Sequence, residues 1–149
     1  MIYVLSDIHG RDDRFNSILK QIHPRSSDHL YILSDVIDRN DGGIRLLRRI
    51  SRAKNMTMLL GNHEYMMSTA LKDPYDIETN YVWKNINGGY ITWTKWKYCS
   101  KAFKEEMMAY INSLPLNIEL SCGGKDWLLV HGGLLDDLKS NMMMAMMNS

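Results

Sequence analysis

The sequence predicts an α/β fold built on a parallel sheet, and three observations predict it. Short apolar runs rich in strand formers alternate with segments whose apolar residues recur at helical spacing. The order over residues 1–64 is strand, helix, strand, helix, strand, which lays strands side by side in parallel. Each of those three strands runs into a polar loop carrying Asp, His or Asn.

Ile2-Tyr3-Val4-Leu5 is wholly apolar, as suits a sheet covered on both faces, and leads into Ser6-Asp7-Ile8-His9-Gly10. Phe15, Ile18, Leu19 and Ile22 mark the first helix, closed by Pro24. Leu30-Tyr31-Ile32-Leu33 is the second strand, followed by Ser34-Asp35. The breaker run Asn40-Asp41-Gly42-Gly43 precedes a second helix marked by Ile44, Leu46, Leu47 and Ile50, whose solvated face carries Arg45, Arg48, Arg49, Arg52 and Lys54. Met56-Thr57-Met58-Leu59-Leu60 is the third strand and enters Gly61-Asn62-His63-Glu64, where Glu64 braces the following helix. Residues 65–114 read as mostly helical, with breaks at Asp73-Pro74 and Asn87-Gly88-Gly89. After Leu114-Pro115, strand-like runs over 116–120 and 127–130 flank a glycine-containing turn over 121–126, the pattern of an antiparallel hairpin ending in His131-Gly132-Gly133. His23 and His29 read as ordinary loop histidines. No internal repeat or linker interrupts the chain, so one domain over residues 1–149 is expected.

Composition narrows the function classes. At 45% hydrophobic and 23% charged residues, the chain has the make-up of a globular protein. A formal net charge of +1 gives no electrostatic basis for binding a nucleic-acid backbone or an anionic membrane surface. Cys99 and Cys122 form neither a disulfide framework nor a zinc pattern, and neither a secretory leader nor a bilayer-spanning run is visible, so a reduced, cytoplasmic setting is expected.

The chemistry lies at the strand ends. Asp7 and His9 stand two apart, and in extended backbone residues so spaced point to one side and reach one ion. Asp35 holds the equivalent place after the second strand, where a carboxylate can bridge two ions. Asn62 offers an amide oxygen after the third strand, and His131 an imidazole after the fifth. Oxygen and imidazole donors suit manganese, iron, zinc or cobalt. In sheets of this kind ligands gather at the carboxyl ends of the strands.

Taken in order, Asp7-Ile8-His9-Gly10, Asp35-Val36-Ile37-Asp38-Arg39, Gly61-Asn62-His63-Glu64 and His131-Gly132-Gly133 resemble the blocks of the calcineurin-like metallophosphoesterase superfamily, within it the phosphoprotein phosphatase branch. Asn87-Gly88-Gly89 after Trp83, and Leu114-Pro115-Leu116, resemble bacterial and phage serine/threonine phosphatases of that branch. The resemblance implies a four-layer α-β-β-α sandwich whose first sheet is parallel. It implies two divalent ions, manganese first among them, the first held by Asp7, His9 and Asp35 and the second by Asp35, Asn62 and His131. It implies direct attack on phosphorus by a hydroxide between the ions, with His63 as general acid, Asp38 supporting His63, and Arg39 binding phosphate oxygens together with Asn62 and His63.

The chain departs from the family pattern in three places. Ser34 stands where glycine is usual before the bridging Asp, and Asn40, which tolerates positive φ, stands where glycine is usual after the Arg. After His131 there is neither histidine nor arginine, although family members carry a further histidine ligand there. The expectation is therefore a family domain missing its C-terminal part, with an incomplete second sheet and a weakened second metal site. The open sheet edge would be covered by the run Met142, Met143, Met144, Met146 and Met147 or by a homodimer partner. Three functions follow from the resemblance: a serine/threonine protein phosphatase acting on a phosphoprotein or small phosphoester, a symmetrical dinucleoside tetraphosphatase-like hydrolase, and a truncated non-catalytic remnant that binds metal or a partner.

Overall fold

The computed structural model describes residues 1–132. Gly133 and the methionine-rich run from Met142 to Met147 lie outside the described residues.

Three parallel strands, β1 (Ile2–Leu5), β2 (His29–Ile32) and β3 (Met56–Met58), lie in sequence order with β2 central. Leu30 faces Tyr3 on one side and Met56 on the other. Helix α1 (Asp12–Ile22) connects the first pair of strands and α2 (Gly43–Ser51) the second, as the alternating periodicities require. A second sheet consists of β4 (Asn117–Cys122) and β5 (Lys125–Val130), paired antiparallel. A mixed α/β architecture with a parallel first sheet and a small antiparallel one is the fold the blocks imply.

The apolar faces meet in a single cluster. Phe15 from α1, Ile32 from β2, Leu46, Leu47 and Ile50 from α2, and Met58 from β3 pack with residues of the helical middle, among them Met67, Trp83, Met107 and Ile111. That middle comprises α3 (Asn62–Lys72), α4 (Ile77–Tyr81), a π-helical turn (Val82–Ile86), α5 (Tyr90–Trp96) and α6 (Lys101–Ser113). Its breaks fall at Asp73-Pro74 and Asn87-Gly88-Gly89, as expected, and also over residues 97–100. Asp76 caps α4 by accepting from the Thr79 amide, and Ser100 caps α6 by accepting from Phe103. The basic residues of α2 lie on its solvated face and tie it to its neighbours: Arg45 bonds Asp12, Arg49 bonds Asn16, and Arg52 bonds Glu106.

Several local expectations change. β1 is an edge strand among the described residues, and Val4 is 44% exposed, so its apolar run does not mark a strand covered on both faces. β3 stops at Met58, because the Leu60 amide turns to the Pro115 carbonyl of the chain leading into β4. The hairpin turn is tighter than the sequence suggested: Ser121 and Cys122 still pair with Asp126 and Lys125, leaving only Gly123-Gly124 between the strands, both at positive φ. His29 sits in β2 with its Nε2 2.8 Å from Thr57 Oγ1 of the neighbouring strand, and His23 is the left-handed cap of α1. Among the described residues, no helix is long and apolar enough to cross a membrane.

Leu47 is fully buried at the centre of this cluster. Leu47→Ala is expected to lower stability by about 3 kcal/mol. In urea unfolding, the midpoint falls while the slope stays constant.

Candidate metal centre

The carboxyl ends of the strands are continued by two loops that run side by side. Beyond the last ladder pair, the Leu33 amide donates to Leu5, Asp7 to Ser34, His9 to Asp35, and Gly10 to Val36. Parallel pairing therefore persists past the strands, although the backbone is no longer extended. Asp7, His9, Ser34, Asp35, Asp38 and Arg39 all have φ between +44° and +97°. Asp7 and His9 are accordingly not in the extended backbone expected of them. Their side chains still converge, His9 Nε2 lying 3.8 Å from Asp7 Oδ1, because left-handed turns at both residues fold the loop over the strand end.

Asp35 is the hub. One of its oxygens, Oδ2, lies 3.9 Å from His9 Nε2, 3.9 Å from His63 Nε2 and 3.4 Å from His131 Nε2. Its other oxygen accepts from the backbone N–H of His63 in the first turn of α3, where the helix dipole favours a negative charge. One ligand atom each from His9, Asp35 and His63 fall within 4.8 Å of one another, a donor cluster of the size that surrounds a divalent ion. Asp7 stands at the rim with its side chain 61% exposed, against 5% for Asp35.

The donors are prepared for a cation. His9 Nδ1 lies 3.2 Å from the Ile37 carbonyl, which can only accept, so Nδ1 carries the proton and Nε2 keeps its lone pair facing Asp35 and Asp7. Burial moves the His9 pKa below its ordinary value and so favours the neutral ligand form; the charges of Arg39 and His63 help, and the Ile37 carbonyl and the Asp35 charge oppose. On the other side of Asp35, the Asn62 side-chain terminus is 2.9 Å from His131 Nε2 and 3.2 Å from each Asp35 oxygen. With its NH2 inward it would donate to all three. With its oxygen inward it can accept from His131 Nε2–H but meets both Asp35 oxygens acceptor to acceptor, an arrangement a divalent cation stabilises. The residues present fit a metal ion.

His63 has two faces. Nδ1 donates to Asp38 Oδ2 at 2.8 Å, and Nε2 lies 3.3 Å from the Arg39 guanidinium. Burial pulls its pKa down, but the hydrogen bond to Asp38 and the charges of Asp35 and Asp38 outweigh burial, and the net direction is up. The structure thus brings together Asp7, His9, Asp35, Asn62 and His131, sets Asp38 behind His63, and leaves Arg39 exposed beside it. It also draws His63 into the donor cluster, where proton donation and phosphate binding were expected.

Two residues acquire roles that the motifs left unassigned. Glu64 does not merely brace its own helix. Its fully buried carboxylate accepts from Ser34 Oγ at 2.7 Å and from the backbone amides of Asp35, Val36 and Ile37 at 3.1, 2.9 and 3.3 Å. Burial pushes the Glu64 carboxyl up from its usual range, against four hydrogen bonds that favour the ionised form. Gly61 has no room for a side chain, since a Cβ there would overlap Ser34 Oγ and Asp35 Oδ1. Asn40, for its part, is not in the left-handed region; its side chain donates to the His9 carbonyl at 2.8 Å instead.

A parallel sheet with carboxylate, amide and imidazole donors at its strand ends is an arrangement suited to holding divalent ions. The calcineurin-like phosphoesterase family profile matches residues 1–146, and the chain belongs to that family. Among its relatives is the symmetrical bis(5'-nucleosyl)-tetraphosphatase of Acidovorax sp. (strain JS42), 29% identical over 90% of this chain and 44% of that protein. The enzyme of the same name from Delftia acidovorans is 25% identical over 97% of this chain and 48% of its own. An uncharacterized protein of Methanocaldococcus jannaschii is 30% identical over 88% of this chain and 49% of its own. The chain spans about half the length of these relatives.

Two substitutions test the centre. Asp35→Asn is expected to weaken manganese or cobalt binding by roughly a hundredfold in calorimetric titration, because the carboxylate shared by the donors is lost. Glu64→Gln turns an NH2 group toward amide donors that need an acceptor, and is expected to cost about 3 kcal/mol in urea unfolding.

Proposed function

We propose that the chain is a metal-dependent phosphohydrolase that cleaves a dinucleoside tetraphosphate symmetrically, into two nucleoside diphosphates. The observation that supports it is the Asp35-centred donor cluster, carried by a chain whose relatives over nine-tenths of its length include enzymes named for that reaction. A phosphoserine or phosphothreonine substrate, the first expectation from the sequence blocks, has no comparable support. None of the relatives named above carries that activity in its name.

In this reading Asp7, His9 and Asp35 hold one ion and Asp35, Asn62 and His131 a second. Divalent ions held there supply Lewis-acid polarisation of the phosphate and an acidified water as nucleophile. Arg39 binds phosphate oxygens through its guanidinium, a task suited to its planar fork. His63 donates a proton from Nε2 to the leaving oxygen once the Arg39 guanidinium, which in the structure donates to that nitrogen at 3.3 Å, turns to the phosphate and Nε2 is protonated. Asp38 accepts from Nδ1–H and keeps the ring in the orientation that transfer requires.

Diadenosine tetraphosphate and a phosphoserine peptide, offered side by side with manganese, test the reading. ADP is expected as the sole nucleotide product, released faster than phosphate from the peptide, and Asp35→Asn lowers that rate by at least roughly a hundredfold. Faster phosphate release from the peptide would return the substrate to the phosphoprotein class.

A further inference from the structure

The block that resembles phage and bacterial phosphatases, Trp83 followed by Asn87-Gly88-Gly89, receives no role from the metal centre, yet the structure places it directly behind the acid pair. The Trp83 indole is fully buried, and its N–H donates to Asp38 Oδ2 at 3.0 Å, the oxygen that also accepts from His63 Nδ1 at 2.8 Å. Two residues of the same segment hold the backbone of that loop. The Thr92 hydroxyl accepts from the Asp38 amide at 3.0 Å, and the Gly88 carbonyl accepts from the Arg39 amide at 3.1 Å. Gly89 lets the indole approach, because a Cβ there would overlap Nε1.

We propose that Trp83 is a positioning residue for phosphate-ester cleavage: by fixing the Asp38 carboxylate it aims His63 Nε2 at the leaving oxygen. Two donors restrain Asp38 through its Oδ2. Its side chain is fully buried, and among the described residues Oδ1 has no hydrogen-bond partner, so the hydrogen bonds that direct the carboxylate all fall on Oδ2. One of those donors is His63 itself, the group to be aimed. The other is the indole, seated in the core and free of any part in proton transfer. Without it, the Asp38–His63 pair keeps its hydrogen bond but loses its fixed direction. This inference rests on the acid role given to His63 under the proposed function.

The test compares Trp83→Phe with the unaltered chain in two measurements. The first is turnover of phenyl phosphate, a poor leaving group, against 4-nitrophenyl phosphate, a good one that needs little protonation. The expected result is a roughly tenfold larger fall in kcat for phenyl phosphate, with KM nearly constant for both. A ratio of rates is indifferent to how much of the variant is folded. Ile111→Val, a core substitution away from the acid pair, is expected to leave that ratio unchanged.

The second measurement is the His63 Nδ1–H proton resonance in metal-free protein, which Trp83→Phe is expected to shift and to open to exchange with water. An equal loss of rate on both substrates, or an unaltered resonance, overturns the proposal. If the unaltered chain cleaves neither aryl phosphates nor the tetraphosphate, the proposed function fails on its own and the resonance alone decides the place of Trp83. Should Trp83→Phe not fold, Gly89→Ala displaces the same indole N–H and enters the same comparison.

Discussion

Where the chain leaves β2, the amides of Asp35, Val36 and Ile37 turn inward in succession, and the Glu64 carboxylate receives all three together with the Ser34 hydroxyl. The rest of the site hangs on this arrangement. Asp35 must sit at positive φ to face His9, His63 and His131 at once, and such a backbone persists in a non-glycine residue only when its surroundings over-determine it. Glu64 supplies that determination from the first turn of α3, the same turn that carries Asn62 and His63. Asn62, His63 and Glu64 are thus consecutive at one helix start, so the brace and the two side chains facing Asp35 share one backbone.

The neighbouring loop is held by different means. It borrows its shape from the first through the parallel amide bonds from Asp7, His9 and Gly10 to Ser34, Asp35 and Val36, and through the Asn40 side chain on the His9 carbonyl. Two strand ends that would otherwise diverge are zipped together. Asp7 and His9 are therefore positioned by the loop that carries Asp35, and the extended-strand rule was not needed to bring them to it. This explains why a wrong local geometry at Asp7 and His9 still led to the right neighbourhood: the alternation of strands and helices decided where the side chains would meet, and the loop conformation decided only how.

The same distinction separates what the sequence made legible from what it did not. The three strands, the two connecting helices and the placement of Asp7, His9, Asp35, Asn62 and His131 at strand ends follow from periodicity and residue type, which act locally. The partners of Glu64 lie about 30 residues upstream, and three of the four are backbone amides, which no side-chain pattern announces. Trp83 and Asp38 are separated by 45 residues, and a tryptophan in a helical stretch signals core before it signals a hydrogen bond. Gly61 was the one local sign of the crowded contact, since only glycine lets α3 begin against Ser34 and Asp35. The edge position of β1 was hidden for a related reason: an apolar run tells which residues avoid water in strands generally, and the sheet's width decides which of them succeed.

Ser34 shows how a departure from the family pattern can be absorbed. At φ of +97° it occupies backbone that favours glycine, a conformation costing of order 1–3 kcal/mol for a residue with a Cβ. Its hydroxyl, however, donates to a buried carboxylate at 2.7 Å, and hydrogen bonds to charged groups contribute about 1.5–3 kcal/mol. The two effects are of the same size and opposite sign. Glycine at this position would relax the backbone but remove one of four donors from Glu64, leaving burial less opposed in raising that carboxyl. The serine therefore supplies from a side chain one of the four hydrogen bonds that oppose burial in raising the Glu64 carboxyl. The brace under Asp35 is then held at both ends, by the helix that carries the carboxylate and by the loop that it restrains.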